Sequence, residues 1–450
     1  MLISFPFTHH GAACGIRNAE FPAGRVAPWR FGDWQFPMTR QNPAMQKMIR
    51  RGVLALLFIP VTIPSRAADW PHYRGAKMDG STTETIAAWP AGGPKELWRA
   101  QLGTGCASVT VVGGRVFGAG FRDGREVLHC LDAKTGKTLW SHSWTAKLGD
   151  YLFEGGPRAT PTVDGGHVYA LGADGHLACV EAAGGKPVWE KNIAAEWGAK
   201  RMDWGFSGSP TVEGELLLID AGGKGASTLA LDKKSGALVW KAGDDEPGYG
   251  SPRVVMLDGR KTVLVFKAGS IVGHALETGA VLWRHEWETA WKINAATPVL
   301  AGDLVVISSA YNHGAAALRV KGGKPAQVWF TKKLLAQFNT PVLRDGSLFG
   351  IDGEVGKRSA LVCLDANTGD ERWRTADVKN GSLILAGDKL VVLTETGELI
   401  LADAFATAYR ELGRAKVLGD RCWVQPAMAD GVLFCKNNRG ELVALSMAGK

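Results

Sequence analysis

Reactive side chains are scarce in this chain. Its 450 residues include 10 His, 7 Cys and 6 Tyr, and none sits in a motif that builds a reaction centre. There is no C-x-x-C, no adjacent cysteine pair and no Cys/His spacing of a zinc site. A glycine-rich phosphate loop, G-x-S-x-G and a His-rich metal motif are missing too. These absences argue against zinc, P-loop and serine-hydrolase chemistry. His129, His167 and His176 fall on strands or turns, where an ordinary structural or exposed role is expected. Long apolar runs are also lacking: Gly52 to Ile63 is too short to cross a bilayer, which takes about 20 residues.

An excess of positive charge is missing from the body of the chain. The net charge is +8, but residues 1–67 hold eight Lys/Arg against Glu20 and Asp33, so +6 lies there and +2 elsewhere. The body therefore has no electrostatic case for binding nucleic acid. "MQKMIRRGVLALLFIPVTIPSRAADW" reads as an export signal over 45–67. It has a charged start (Lys47, Arg50, Arg51), an apolar run, and Ser65 and Ala67 at the small positions of a cleavage before Ala68. Ordinary secretion is favoured over twin-arginine export. Residues 1–44 read as an upstream extension, non-native or disordered, with translation starting at Met45 or Met48. Residues 68–94 form a lead-in, and 95–450 form the body.

What is abundant is glycine (58) and tryptophan (17), and the tryptophans recur. Trp98, Trp140, Trp189, Trp240, Trp283, Trp329 and Trp373 are spaced by 42, 49, 51, 43, 46 and 44 residues. That period suits four-stranded propeller blades of about 40 to 50 residues. In one unit "SVTVVGG" and "RVFGAG" read as a hairpin, "EVLHCLDA" as a third strand and "KTLWSHS" as a fourth. The first tryptophan follows no three-strand unit, while the last unit lacks a fourth strand. The Leu97 to Ala100 strand is therefore expected to complete the carboxy-terminal blade and close the ring by pairing the two ends. This predicts an all-β, eight-bladed propeller. Because "ADAFATAYRELGR" lacks the tryptophan, seven blades is the alternative.

Gly136, Gly185, Gly236, Gly279 and Gly369 lie four residues before their tryptophans and are expected to turn the chain. The tryptophans are expected to pack against neighbouring blades, each contributing about 2 to 3 kcal/mol. Ten residues before the tryptophan stands Cys130, Cys179, Ala230, Gly273 or Cys363, a slot for a small buried side chain. No disulfide framework is expected, and Cys106 with Cys422 is the one pairing to test.

The pattern in "CLDAKTGKTLW" and "CLDANTGDERW" resembles the tryptophan-docking motif of pyrroloquinoline quinone (PQQ) type propeller repeats. These occur in quinoprotein alcohol dehydrogenases and in the outer-membrane assembly lipoprotein of the BAM complex. The resemblance covers roughly residue 95 to the end and implies fold more than activity. An assembly lipoprotein needs a lipidated cysteine at its cleavage site, which "IPSRAADW" lacks. A soluble relative is the form this reading takes.

Loop lengths point to a working face. From each tryptophan to the proline of the following [ST]-P the distances are 21, 21, 12, 15 and 12 residues, ending at Pro161, Pro210, Pro252, Pro298 and Pro341. The long loops enter the second, third and fifth blades on one face, where binding surfaces form. "SHSWTAKLGDYLFEGGPRATP" carries Trp144, Asp150, Tyr151, Phe153, Glu154 and Arg158. "EKNIAAEWGAKRMDWGFSGSP" carries Trp197, Lys200, Arg201, Asp203, Trp204 and Phe206. "RHEWETAWKINAATP" carries Trp287, Trp291, Lys292 and Asn294, and Trp423 is counted with them. Aromatics beside cations suit a planar anionic ligand. Packing of the loop aromatics on one another is the competing reading.

The resemblance implies a PQQ and calcium site. Trp204 or Trp291 would stack, Arg158, Arg201 or Lys292 would carry charge, and Glu154, Asp203 or Asn294 would bind calcium. The chain lacks the adjacent cysteine pair of the quinoprotein dehydrogenases. The expected protein is an exported, monomeric binding or scaffolding propeller that takes a protein or small-molecule ligand on its long-loop face. The rival is a PQQ- and calcium-dependent dehydrogenase of an alcohol or sugar.

Overall fold

The computed structural model describes residues 69–149, 153–376 and 378–447. The readings for 1–67 and the Asp150 and Tyr151 positions lie outside the described residues. Short β-branched strands bounded by Gly and Asp form the first blade: Val109–Val112, Arg115–Arg122, Arg125–Asp132 and Thr138–Thr145. Six more antiparallel blades follow over 162–192, 211–242, 253–286, 299–331, 342–375 and 381–416. The eighth takes three strands from 427–446 and its outer strand from Lys95–Gln101, which pairs antiparallel with Glu441–Ser446. The ring thus has eight blades, closed by its two ends.

An outer belt explains the repeat. Five of the seven indoles lie on the turn glycine of the next blade. A Cβ on Gly136 would come 2.6 Å from the Trp98 ring, and one on Gly185 would come 2.5 Å from Trp140. Gly236, Gly279 and Gly369 face Trp189, Trp240 and Trp329 in the same way. The indole N–H then donates to a next-blade carbonyl, as Trp98 does to Ala133 (2.9 Å) and Trp373 to Phe405 (2.8 Å). Within a blade, Trp140 stands opposite Cys130, Trp189 opposite Cys179, Trp283 opposite Gly273 and Trp373 opposite Cys363, beside a register shift. The small slot is the space the indole needs. No disulfide joins any of the six cysteines among the described residues to another, so Cys106 and Cys422 are not paired.

The seventh blade breaks the pattern for a physical reason. Gly413 occupies the tryptophan position and Leu401 the slot opposite, a reciprocal exchange of large and small. The eighth blade's third and outer strands come from opposite chain ends, so no glycine turn joins them to receive an indole. Trp89 from the lead-in packs over Gly413 instead.

An inner belt uses the [ST]-P residues and Ser108, their counterpart in the first blade. The Ser108, Thr160 and Ser209 amides donate to the hydroxyls of Thr160, Ser209 and Ser251 (3.0, 2.9 and 2.9 Å), and Ser108 Oγ donates to the Gln425 carbonyl. The lead-in crosses the face bearing the hairpins between first and second strands. Trp70 bridges to Val111, the Pro71 carbonyl accepts from Val163, and Ser81–Thr82 add a parallel strand beside Gly381–Ala386. Between these points Arg74 is buried and donates to the carbonyls of Thr340 (2.9 Å), Pro341 (2.7 Å) and Asp79 (2.7 Å). Tyr73 beside it forms the floor of a cavity that opens toward the long loops.

Candidate functional site

In every blade but the seventh, the residue two before the inner-belt position or its equivalent faces a common cavity. These residues are Cys106, Arg158, Ser207, Tyr249, Ala295, Phe338 and Trp423, and all line one cavity. Its empty volume, open mouth included, is about 990 Å³. The backbone that brings them together is repetitive, whereas the side chains differ in every blade. Phe153, Trp204 and Tyr311 complete the wall.

The aromatic rings contact one another. Phe153 lies 5.5 Å from Trp204 and 4.8 Å from Trp423, and Phe338 lies 5.4 Å from Trp423. Arg158 stands over Trp204 (5.7 Å), donates through Nε to the Trp204 carbonyl (3.0 Å) and reaches Cys106 Sγ through Nη1 (3.5 Å). Burial pushes the Tyr249 phenol up to about 12, so it enters as a neutral hydrogen-bonding group. The inner wall is apolar and aromatic, with hydroxyls and one guanidinium among its described residues.

The residues singled out in the sequence separate here. Arg158, Trp204 and Trp423 line the cavity. Asp203 and Trp291 belong to an outer vestibule, where Trp291 is 70% exposed. Arg201 pairs with Asp174 (2.7 Å) and Lys292 with Glu246 (3.2 Å), both on the rim. Glu154 sits behind Phe153, held by Arg421 (2.9 Å) and Asn438 (3.1 Å). Burial would raise its carboxyl, but those donors outweigh it and hold the group below its ordinary value. Arg421 is in turn 5.0 Å from the Phe153 ring and 4.9 Å from Trp423.

Asn294 is fully buried. Its amide nitrogen donates to the carbonyls of Lys267, Ala268 and Trp287, and its oxygen accepts from Ser309. Two loop tryptophans are also structural. Trp144 lies in the outer strand and donates to buried Glu126 (2.8 Å), and Trp287 donates to Ser309 (3.0 Å). Tyr73, Cys106, Tyr249, Tyr311 and Phe338 were not candidates, although the offset of two from the belt residue marks three of them in the sequence.

The family model of outer membrane protein assembly factor BamB matches residues 80–141, 124–375 and 354–450. The chain belongs to the BamB family. No curated protein matches this BamB-family chain. Among solved structures, BamB from Moraxella catarrhalis is 16% identical, with a TM-score of 0.57 over 78% of this chain and 97% of that one. Quinohemoprotein alcohol dehydrogenase from Comamonas testosteroni is 15% identical, with a TM-score of 0.63 over 85% and 81%. A europium-containing methanol dehydrogenase is 13% identical, with a TM-score of 0.59 over 84% and 89%. At these identities the likeness is one of fold, as an eight-bladed PQQ-type propeller. No helix among the described residues of this BamB-family propeller is long and apolar enough to cross a membrane.

The described residues of the BamB-family cavity do not supply a donor set that suits calcium with a quinone. Calcium takes six to eight oxygens, with carboxylates prominent. No carboxylate is among the described residues of the inner wall, and no group of three or more His, Cys, Asp or Glu gathers anywhere among them. Glu154 and Asn294 are committed to protein partners, and Asp203 stands outside.

Proposed function

We propose that this BamB-family propeller is a binding module that takes a planar, aromatic molecule with an acidic group into the mouth of its channel. The observation that carries this reading is the convergence of Phe153, Trp204, Tyr249, Tyr311, Phe338 and Trp423 with Arg158 around a cavity floored by Tyr73. Flat rings stack on such walls, and a carboxylate gains a charge-assisted contact at a guanidinium in an apolar setting. Export and a monomeric state go with this reading. The exposed Trp291 on the same rim favours a second role, the docking of a protein partner over the occupied mouth.

Titration with aromatic carboxylates and their neutral amides, followed by tryptophan fluorescence, tests the small-molecule reading. Saturable quenching by the acids, weakened at least about tenfold for the amides, is the expected result. The dehydrogenase reading is tested beside it with PQQ, calcium and dye reduction over an alcohol panel. Saturable PQQ binding with turnover would replace the binding-module reading.

A further inference from the structure

Cys106 differs from the other five cysteines among the described residues. Those five are buried, and burial pushes the thiols of Cys130 and Cys363 up to about 11 and those of Cys179 and Cys422 up to about 12. Such thiols are inert. Cys106 is partly exposed, stands in the first blade's wall position and opens into the cavity. Arg158 Nη1 lies 3.5 Å from its sulfur. Buried Lys436 donates to the carbonyl of Gly105, the residue before Cys106. Burial lowers the Lys436 ammonium to about 8, against the raising effect of the Cys106 and Cys422 thiols, so it is mostly protonated at neutral pH. A guanidinium within reach of the sulfur and a buried ammonium bonded to the preceding carbonyl make the surroundings electropositive, the setting in which reactive cysteines are found.

The same wall has unused hydrogen-bonding capacity. Gln425 is 7% exposed and its Nε2 donates to the Leu383 carbonyl (3.0 Å), which fixes the amide orientation and leaves Oε1 with no partner. Trp423 Nε1 has none either. Buried polar atoms without partners are costly, and a guest that bonds them removes the cost.

We propose that Cys106 is a covalent acceptor site for a low-molecular-weight disulfide that carries an acidic group. The thiol loses its proton to water, and the thiolate pair attacks one sulfur of the guest. A new bond forms from Cys106 Sγ to that sulfur, the guest's S–S bond breaks, and its electron pair leaves with the second sulfur as a thiolate. The guest disulfide is the oxidant, so no other reactant is required. Arg158 receives the acidic group, and the aromatic wall covers the rest. This inference does not depend on reversible ligand affinity. Loss of aromatic-carboxylate binding with labelling intact would remove the proposed function and leave this site standing.

The test treats the folded full chain at neutral pH with dithiobis(nitrobenzoate), and locates modified cysteines by peptide mass spectrometry. Cys106 is expected to react at least about tenfold faster than Cys130, Cys179, Cys363, Cys422 or Cys435. Arg158→Gln and Lys436→Met are each expected to slow it by about tenfold, with circular dichroism showing that each variant folds. Neutral dithiodipyridine is expected to react more slowly than the acidic disulfide relative to their rates with a free thiol. Two results would overturn the site: Cys106 as slow as the buried five until denaturant is added, or rates unchanged in both folded cation variants. Equal normalised rates for the acidic and neutral disulfides would overturn the acidic class of guest.

Discussion

Gly184 and Gly185 are neighbours in the second blade's turn, but only one has room for a side chain. A Cβ at Gly184 meets nothing within 4 Å, whereas one at Gly185, where φ is +72°, would press into the Trp140 ring. Gly185→Ala therefore combines left-handed backbone strain with overpacking and is expected to cost at least about 2 kcal/mol. Gly184→Ala should stay within about 0.5 kcal/mol of the parent. Chemical denaturation of both variants checks the pair, and equal costs would contradict the docking role. His274 gives a pH signature at the same scale. Burial lowers its imidazole to about 4 against an ordinary 6.5, despite the Gly279 carbonyl that raises it. Its contribution is present in full above pH 6.5 and is lost as pH falls through 4, an effect of about 3 kcal/mol. His274→Gln should flatten that part of the fall between pH 6.5 and 4, measured by denaturant midpoints. The spacing of glycine, small slot and tryptophan could be read from sequence because one contact recurs around the ring. Asn294 could not, since its partners are carbonyls brought near by tertiary folding.

Among the elements, the lead-in has the largest role that periodicity did not show. It has no repeat, so the sequence marks it only as a segment before the first strand. In the fold it crosses the ring, floors the cavity with Tyr73 and replaces a missing indole with Trp89. Arg74 anchors the crossing through three carbonyls. Arg74→Met leaves those acceptors without a donor and is expected to destabilise the fold by about 3 kcal/mol. A thermal shift near that of a surface substitution would show that the segment is not tied to the ring. The strands and the closing strand were legible because alternation, turn residues and the count of tryptophans agree. The loops were legible only by length: Trp144 and Trp287 turned inward to structural partners, while Tyr249 and Phe338 came from short loops.

For the whole molecule, two belts hold the blades and leave one ring of positions free to vary. The fold belongs to the repeated residues. The chemistry belongs to the side chains two positions before the inner belt, which differ from blade to blade. A recurring string therefore predicts architecture, and the departures from it at a fixed offset identify the cavity. The most direct measurement is calorimetric titration of the parent, Trp204→Ala and Trp423→Ala with an aromatic carboxylate that quenches fluorescence, each variant checked by thermal melting. Loss of at least about tenfold in affinity with a melting temperature within a few degrees of the parent is the expected result. Unchanged affinity in both folded variants, or a large drop in melting temperature for each, would contradict a ligand site in the channel mouth and assign these rings to loop packing.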